Sequence, residues 1–200
     1  FVVLRINYSG TTGLLGPLAA SIGTKEGVVR TFRDIEDAVK ALVQAGLVDS
    51  QKVCIAGEAE GAWAAAYAPI ASPGLYRAVL CFNGVYDLVA YQKGGDAANA
   101  MSAGQSYPFA SSWQQNSEAQ AKLFSVTQNL DTYPKDVFVA YGKWSDAAHK
   151  DQALEFVKAL KKAKSSVKVV SDDWWGAQLS GSSRYDAFSK AGSLARSAVK

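Results

Sequence analysis

Residues 52–63 constrain the fold more than any other stretch of this sequence. They read Lys-Val-Cys-Ile-Ala-Gly-Glu-Ala-Glu-Gly-Ala-Trp, which is a short apolar run, two glycines four residues apart, and the start of an alanine-rich segment. The apolar run predicts a buried strand and the alanine-rich segment predicts a helix, with a turn from Gly57 to Gly61 between them. Strands that alternate with helices in this way are typical of a parallel sheet covered on both faces.

The turn between the two glycines decides what chemistry this stretch can carry. In the strand, Gly-x-Ser-x-Gly, helix order of serine hydrolases, the glycines allow a sharp turn that raises the central serine above the sheet. Ala59 stands at that central position here. A methyl group cannot attack a carbonyl carbon, so the sequence predicts the geometry of the turn without its nucleophile. An ordinary strand-to-helix turn remains the alternative, because two glycines at this spacing are common.

Several further segments resemble those of one known family. Residues 7–13 (Asn-Tyr-Ser-Gly-Thr-Thr-Gly) are similar to a loop with the sequence Asn-Tyr-Arg-Gly-Ser-Thr-Gly, and residues 34–47 are similar to the helix before the turn. Residues 75–79 and 84–88 are similar to the next strand and its polar end. On these segments the chain resembles the catalytic domain of the prolyl oligopeptidase family, particularly its acylaminoacyl-peptidase-like branch. The resemblance implies an α/β-hydrolase-like fold, a mostly parallel sheet with helices on both faces.

Apolar runs and helical periodicity place the elements of this fold. Strands are predicted at Val2–Ile6, Val53–Ala56, Ala78–Phe82, Val137–Tyr141 and Val167–Val170. Helices are predicted from Thr31 to Gly46, from Trp63 to Ile70, from Asp151 to Ala163 and from Tyr185 to Val199. In the third helix, Leu154, Val157 and Leu160 are predicted to point inward.

The domain organisation follows from length and from one segment of biased composition. Two hundred residues with 48% hydrophobic content predict a single α/β-hydrolase-like domain over residues 1–200. Residues 92–128 are rich in Gly, Ala, Ser, Gln and Asn and predict a cap-like excursion within that domain. The sequence begins inside a predicted strand and without a methionine, so we expect a fragment that lacks its N-terminal part.

Composition argues against several classes of function. The net charge of +3 is mild, so no nucleic-acid interface is predicted. No apolar run approaches the twenty residues of a transmembrane segment. The chain has a single histidine, His149, and no cysteine pair at ligand spacing, so neither a metal site nor another cofactor is predicted. Cys54 and Cys81 lie in apolar strands, where free thiols favour an intracellular reducing compartment or an organelle matrix.

The resemblance also assigns the two other catalytic positions. The family's acid lies in a His-Gly-x-x-Asp-x-x-Val turn, which places Ser145 at the acid position and Asp146 one residue later, where it replaces the acid if the turn shifts. The family's histidine lies in a Glu-Gly-His-Gly turn, which places Trp175 at the base position. An indole N–H only donates and cannot accept a proton. His149 lies on the wrong loop and is interpreted as a surface or helix-start residue.

These three positions lead to competing hypotheses of function. Ala59, Ser145 and Trp175 indicate a degenerate triad, so the sequence predicts that the chain is not an enzyme but a structural or interaction module that associates with other protein subunits. One alternative is a non-catalytic binder of peptide-like or acyl small-molecule ligands in the former cleft. The other is a relative of serine peptidases and esterases with residual or rewired hydrolase activity. In that case acidic residues near the rim would do the acid–base work. They are Glu58, Glu60, Asp172 and Asp173.

The predicted cleft is lined by residues from three parts of the chain. Its predicted binding residues are Asn7, Tyr8, Glu60 and Trp174. The backbone N–H of Glu60 occupies the position of an oxyanion donor, and its carboxylate either opposes a negative charge there or faces solvent. Large indoles at positions 144, 174 and 175 predict a filled cleft in which Trp175 projects toward Ala59.

Overall fold

A computed structural model of the chain describes residues 1–9, 25–93, 117–144, 147–163, 165–175 and 181–200. In chain order these residues form α1 (Lys25–Gln44), β1 (Cys54–Glu58), α2 (Glu60–Ala71), β2 (Ala78–Phe82), α3 (Leu88–Lys93), α4 (Ser117–Phe124), a 3₁₀ turn (Val126–Gln128), β3 (Asp136–Trp144), α5 (Ala147–Lys162), β4 (Ser166–Trp175) and α6 (Gly181–Ala198). The predicted alternation of strands and helices is therefore present.

The four described strands form one parallel sheet in the order β1-β2-β3-β4. Alternate residues of the two central strands face opposite sides. One side includes Val79, Cys81, Val137 and Val139, and it packs against a core to which α1, α2 and α5 contribute. The other side includes Leu80, Phe82, Phe138 and Ala140, and it packs against Ala187, Ala191 and Ala195 of α6. The predicted fold class, a parallel sheet with helices on both faces, is confirmed.

The predicted strand at Val2–Ile6 is not formed. Residues 1–8 have no regular secondary structure, and Phe1, Val2 and Val3 are exposed. A β-branched run favours an extended backbone, but a strand also requires a neighbour that pairs with its N–H and C=O groups. Among the described residues, β1 pairs only with β2, so this run has no ladder partner. The prediction was wrong because composition alone does not supply that partner.

α5 differs from its prediction in both extent and orientation. It begins at Ala147 rather than Asp151, which places His149 near its start. His149 is buried, so of its two interpretations the helix-start position is correct and the surface position is wrong. Leu154 was expected to point inward but is 43% exposed, whereas Phe156 and Leu160 are fully buried. The inward stripe is thus set by Ala153, Phe156, Val157 and Leu160, which share one helix face.

The second half of the proposed excursion packs on α2. The Trp63 indole N–H donates to the Phe124 carbonyl oxygen at 3.1 Å, and the Tyr67 hydroxyl donates to the Leu123 carbonyl oxygen at 3.1 Å. Phe124 itself is buried in the main core. Residues 94–116 lie outside the described residues, so the cap-like character of 92–128 stays a prediction. Of the helices that the structure describes, none is long and apolar enough to cross a membrane.

Candidate functional site

The turn after β1 has the sharp geometry that the sequence predicted. β1 runs through Gly57 to Glu58, and α2 begins at Glu60, so Ala59 alone separates strand from helix. Ala59 has φ 54° and ψ −117°, a region that non-glycine residues rarely adopt. Its N–H donates to the Phe82 carbonyl oxygen at 2.9 Å, which fixes the turn to the end of β2. Ala59 therefore lies at the carboxyl edge of the sheet in a strained conformation.

The two glycines of the turn have different roles. A Cβ added at Gly57 would lie 1.9 Å from the Gly61 carbonyl oxygen and 2.8 Å from the Ala62 nitrogen. Both are backbone atoms, so a side-chain rearrangement cannot relieve the overlap. A Cβ at Gly61, by contrast, meets no described atom within 4 Å. Glycine at position 57 is required for the first turn of α2 to pass this close to β1, whereas glycine at 61 is not required by packing.

Two hydrogen bonds to α1 fix the segment that carries Tyr8. The Ser9 N–H donates to Asp34 Oδ2 at 2.8 Å, and the Thr31 hydroxyl donates to the Ser9 carbonyl oxygen at 2.8 Å. Thr31 is buried, so this link is shielded from water. Asn7, one of the predicted binding residues, is exposed. The roles of Asp34 and Thr31 in holding this segment were not predicted from the sequence, because both residues lie in a regular amphipathic helix.

The carboxyl of Glu60 and the hydroxyl of Tyr8 both have raised pKa values. Glu60 is half-buried, and burial raises the pKa of its carboxyl from its ordinary 4.5 to about 7. Burial also raises the pKa of the Tyr8 hydroxyl well above its ordinary range, with a further contribution from the negative charge of Glu60. Tyr8 is therefore a neutral donor at physiological pH, while Glu60 changes charge near neutrality. Within the described part of the chain, no hydrogen bond or ion pair reaches the Glu60 carboxylate.

The loop after β2 is held by buried polar side chains that the sequence analysis missed. Asn83 has φ 50°, and its Oδ1 accepts the Gly142 N–H of β3 at 3.0 Å. Gln152 of α5 accepts the N–H groups of Tyr86 and Asp87 at 2.9 and 2.7 Å, and its Nε2 donates to the Asp87 carbonyl oxygen at 2.9 Å. The sequence did contain one indication that Gln152 is buried: it lies one helical turn before Phe156, on the same inward face of the helix.

The other two predicted catalytic positions are only partly described. Ser145 and Asp146 lie outside the described residues, so the assignment of the acid stays a prediction. Trp174 and Trp175 were expected in a turn, but β4 continues through both of them, and Trp175 pairs with Trp144 of β3. The described structure does not include the side chains of these three tryptophans, so the filled cleft also stays a prediction. β4 lies three strand spacings, about 14 Å, from β1.

The two cysteines are poorly suited to replace a serine at the turn. Cys81 is fully buried, and burial raises the pKa of its thiol well above the ordinary range, so it is a poor nucleophile. Burial also raises the pKa of the Cys54 thiol. In the part of the chain that the structure describes, no three His, Cys, Asp or Glu side chains are grouped as metal ligands would be.

Comparisons with known proteins agree with this geometry. A model of the prolyl oligopeptidase family matches residues 1–173. A solved serine-to-alanine mutant of puromycin hydrolase in complex with PGG is 19% identical, with a TM-score of 0.79, and the match covers 96% of this chain and 28% of that one. An acylaminoacyl peptidase from Pyrococcus horikoshii is 17% identical, with a TM-score of 0.76, and the match covers 94% of this chain and 30% of the peptidase.

A puromycin-hydrolyzing peptidase from Mycobacterium tuberculosis is 21% identical, with a TM-score of 0.67, and the match covers 96% of this chain and 27% of that one. At these identities the structures establish the fold alone. The chain spans less than a third of the length of each of the three. A comparison with curated proteins found no match.

The prediction that the chain is not an enzyme is contradicted by the family match. The matching family is a peptidase family, and this is the finding that overturns the prediction. The prediction depended on three positions read from sequence, of which only Ala59 is fully described. The alanine concerns a single position of the site. It does not outweigh a family match that extends over residues 1–173.

Proposed function

The chain belongs to the prolyl oligopeptidase family, and on that premise we propose that it binds a peptide-like or acyl ligand in the cleft above Ala59. The observation that carries the proposal is the backbone conformation of Ala59. A strained φ of 54° costs free energy, on the order of 1–3 kcal/mol, and strain of this kind is concentrated at functional sites. The turn lies at the carboxyl ends of parallel strands, where ligands of open α/β sheets bind.

The start of α2 supplies donors for such a ligand. A helix leaves its first N–H groups without a carbonyl partner of its own, and here they include those of Glu60 and Gly61. These groups are suited to bind a ligand's carbonyl oxygen. The serine-to-alanine mutant of puromycin hydrolase is complexed with PGG, so in that protein a ligand is bound despite a serine-to-alanine replacement. This supports ligand binding by a protein of this fold in which an alanine replaces a serine.

Glu60 favours hydrolysis of the bound ligand as a second candidate function. Ala59 offers no hydroxyl, so hydrolysis at this turn would use water without a covalent intermediate. The Glu60 carboxylate would take a proton from water while the water oxygen bonds to the carbonyl carbon. It would then return the proton to the leaving group as the bond between that group and the carbonyl carbon breaks. A carboxyl with a pKa of about 7 is suited to both transfers at neutral pH.

A further proposed role, the binding of other protein subunits, is based on apolar residues that are exposed at the surface. Phe1, Val2 and Val3 are consecutive exposed apolar residues. Apolar side chains exposed together favour a protein interface. Co-purification of a fixed set of other proteins with the chain, and its loss on replacing residues 1–3 by serine, would support this role.

Ligand binding is tested by titrating the chain with Ala-Ala-Phe amide, in free and N-acetylated forms, by isothermal calorimetry. We expect saturable binding by the wild type and at least about tenfold weaker binding by Ala59→Leu, because a larger side chain on the turn fills the cleft. Ala71→Leu is the matched control, since Ala71 is exposed at the opposite end of α2. Absence of binding to both peptides, or equal binding by Ala59→Leu, would refute the proposal. Chromatography of the same samples detects cleavage products.

A further inference from the structure

Asn83 lies at the carboxyl edge of the sheet, directly after the last residue of β2. Its side chain is fully buried, and its φ of 50° lies in the left-handed region. Asparagine adopts this region more readily than most other non-glycine residues, because its short polar side chain can form local hydrogen bonds. The residue before it, Phe82, accepts the Ala59 N–H. Asn83 therefore lies one residue from the turn above which the ligand is proposed to bind.

The side chain of Asn83 takes the place of a main-chain acceptor in the sheet. The Asn83 N–H donates to the Ala140 carbonyl oxygen at 2.8 Å, as the parallel register of β2 and β3 requires. Regular pairing would next direct the Gly142 N–H to the Asn83 carbonyl oxygen. The Gly142 N–H instead donates to Asn83 Oδ1 at 3.0 Å. The side chain thus extends the pairing by one bond while the main chain turns away from the strand.

Close packing against α2 accounts for this turn of the main chain. A Cβ added at Gly84 would lie 2.8 Å from the Ala62 Cβ and 2.8 Å from the phenol end of Tyr86. Residue 84 therefore lies against the first turn of α2, the helix that begins directly after Ala59. The chain leaves the line of β2 at Asn83 to reach this position, and the asparagine side chain keeps the bond to β3 that the main chain gives up.

Three hydrogen bonds connect the Ala59 turn with the end of β3. The Ala59 N–H donates to the Phe82 carbonyl oxygen at 2.9 Å, and the two bonds of Asn83 continue the link to β3. The register between β3 and β4 shifts after Gly142, so regular pairing with β4 is interrupted there. The bond from Gly142 to Asn83 is therefore placed where it can set the position of the end of β3 relative to Ala59.

We propose that Asn83 is a positioning residue of the ligand cleft, which fixes the end of β3 relative to the Ala59 turn. This inference rests on the proposed function, because it names a residue that sets the affinity of the same cleft. Asn83 is fully buried, so it acts through Gly142 rather than by contact with the ligand. Without the Oδ1 acceptor, the end of β3 samples other positions. The affinity for a ligand that requires the original position falls with the population of that position.

Two substitutions at position 83 test the proposal. Asn83→Gly tolerates the positive φ but removes the acceptor, whereas Asn83→Asp keeps an oxygen that can accept the Gly142 N–H. In calorimetric titration with Ala-Ala-Phe amide, we expect about tenfold weaker binding by Asn83→Gly than by the wild type. Binding by Asn83→Asp should remain within about threefold of the wild type. Circular dichroism verifies that each variant is folded.

Hydrogen exchange of the Gly142 amide measures the bond itself, independently of any ligand. We expect this amide to exchange at least about tenfold faster in Asn83→Gly than in the wild type. Ser165→Ala is the matched control, because it removes a bond from the Ser165 hydroxyl to the Pro134 carbonyl oxygen, 3.2 Å long, before the amino ends of β3 and β4. Ser165→Ala should leave both the exchange of Gly142 and the peptide affinity within about twofold of the wild type.

Every other result overturns a particular statement. Equal peptide affinity of Asn83→Gly and the wild type, or unchanged exchange of Gly142, overturns the positioning role and leaves the proposed function intact. Equal weakening in folded Asn83→Asp, or in Ser165→Ala, overturns the role of the Oδ1 acceptor. If Asn83→Asp does not fold, the comparison of Asn83→Gly with Ser165→Ala decides. Absence of peptide binding by the wild type overturns the proposed function and this inference together.

Discussion

Replacement of Gly57 by alanine is expected to lower the free energy of unfolding by about 3 kcal/mol or more. The added Cβ would lie 1.9 Å from the Gly61 carbonyl oxygen, so either β1 or the first turn of α2 has to move. Either movement breaks the bond from the Ala59 N–H to Phe82, which joins the turn to β2. The measurement is urea unfolding followed by circular dichroism.

Gly61→Ala is the control for this prediction. The same substitution four residues later meets no described atom and lies within α2, where alanine favours helix formation over glycine by about 1 kcal/mol. We therefore expect Gly61→Ala to be as stable as the wild type or slightly more stable. If the two variants unfold at the same urea concentration, β1 and α2 do not approach each other as closely as described.

Glu60→Gln is expected to stabilise the chain at pH 8 by about 2 to 3 kcal/mol. Burial raises the pKa of Glu60 from 4.5 to about 7, so the folded state holds this proton more tightly than the unfolded state. Stability therefore falls as pH rises from 4.5 to 7, and the whole penalty is present above pH 7. Glutamine has the same shape but no charge, so it removes the penalty.

The pH dependence separates this effect from a change in packing. At pH 5 the difference between Glu60→Gln and the wild type should be less than about 1 kcal/mol, because Glu60 is protonated in the folded state. Urea unfolding of both proteins at pH 5 and pH 8 provides the four free energies. A difference that does not change with pH would mean that Glu60 is solvated or already paired.

The sequence predicted the turn because glycine has a specific backbone role there. Two glycines between an apolar run and an alanine-rich segment indicated a strand that passes directly into a helix, and Gly57 is required at the point of closest approach. Apolar runs that alternate with segments of helical periodicity were sufficient to predict the parallel sheet. The positions of Ala59 and Glu60 relative to the sheet followed from their places in the turn.

Other features depend on contacts between distant parts of the chain and could not be predicted from local pattern. The exposure of Leu154 is set by the elements that cover α5, and periodicity alone permitted a different inward stripe. The bonds from Gln152 to Tyr86 and Asp87 join residues more than sixty positions apart. The raised pKa of Glu60 likewise results from tertiary burial. From the sequence, a carboxylate in the cleft and one that faces solvent were equally good predictions.

The most direct test of the proposed cleft is a crystal structure of the chain grown with Ala-Ala-Phe amide. We predict that the peptide lies above Ala59, with a carbonyl oxygen within about 3.2 Å of the Glu60 backbone nitrogen. The same experiment reveals the indole of Trp175, whose place over Ala59 was predicted from sequence. An indole that occupies this space, with no peptide bound, would contradict the account.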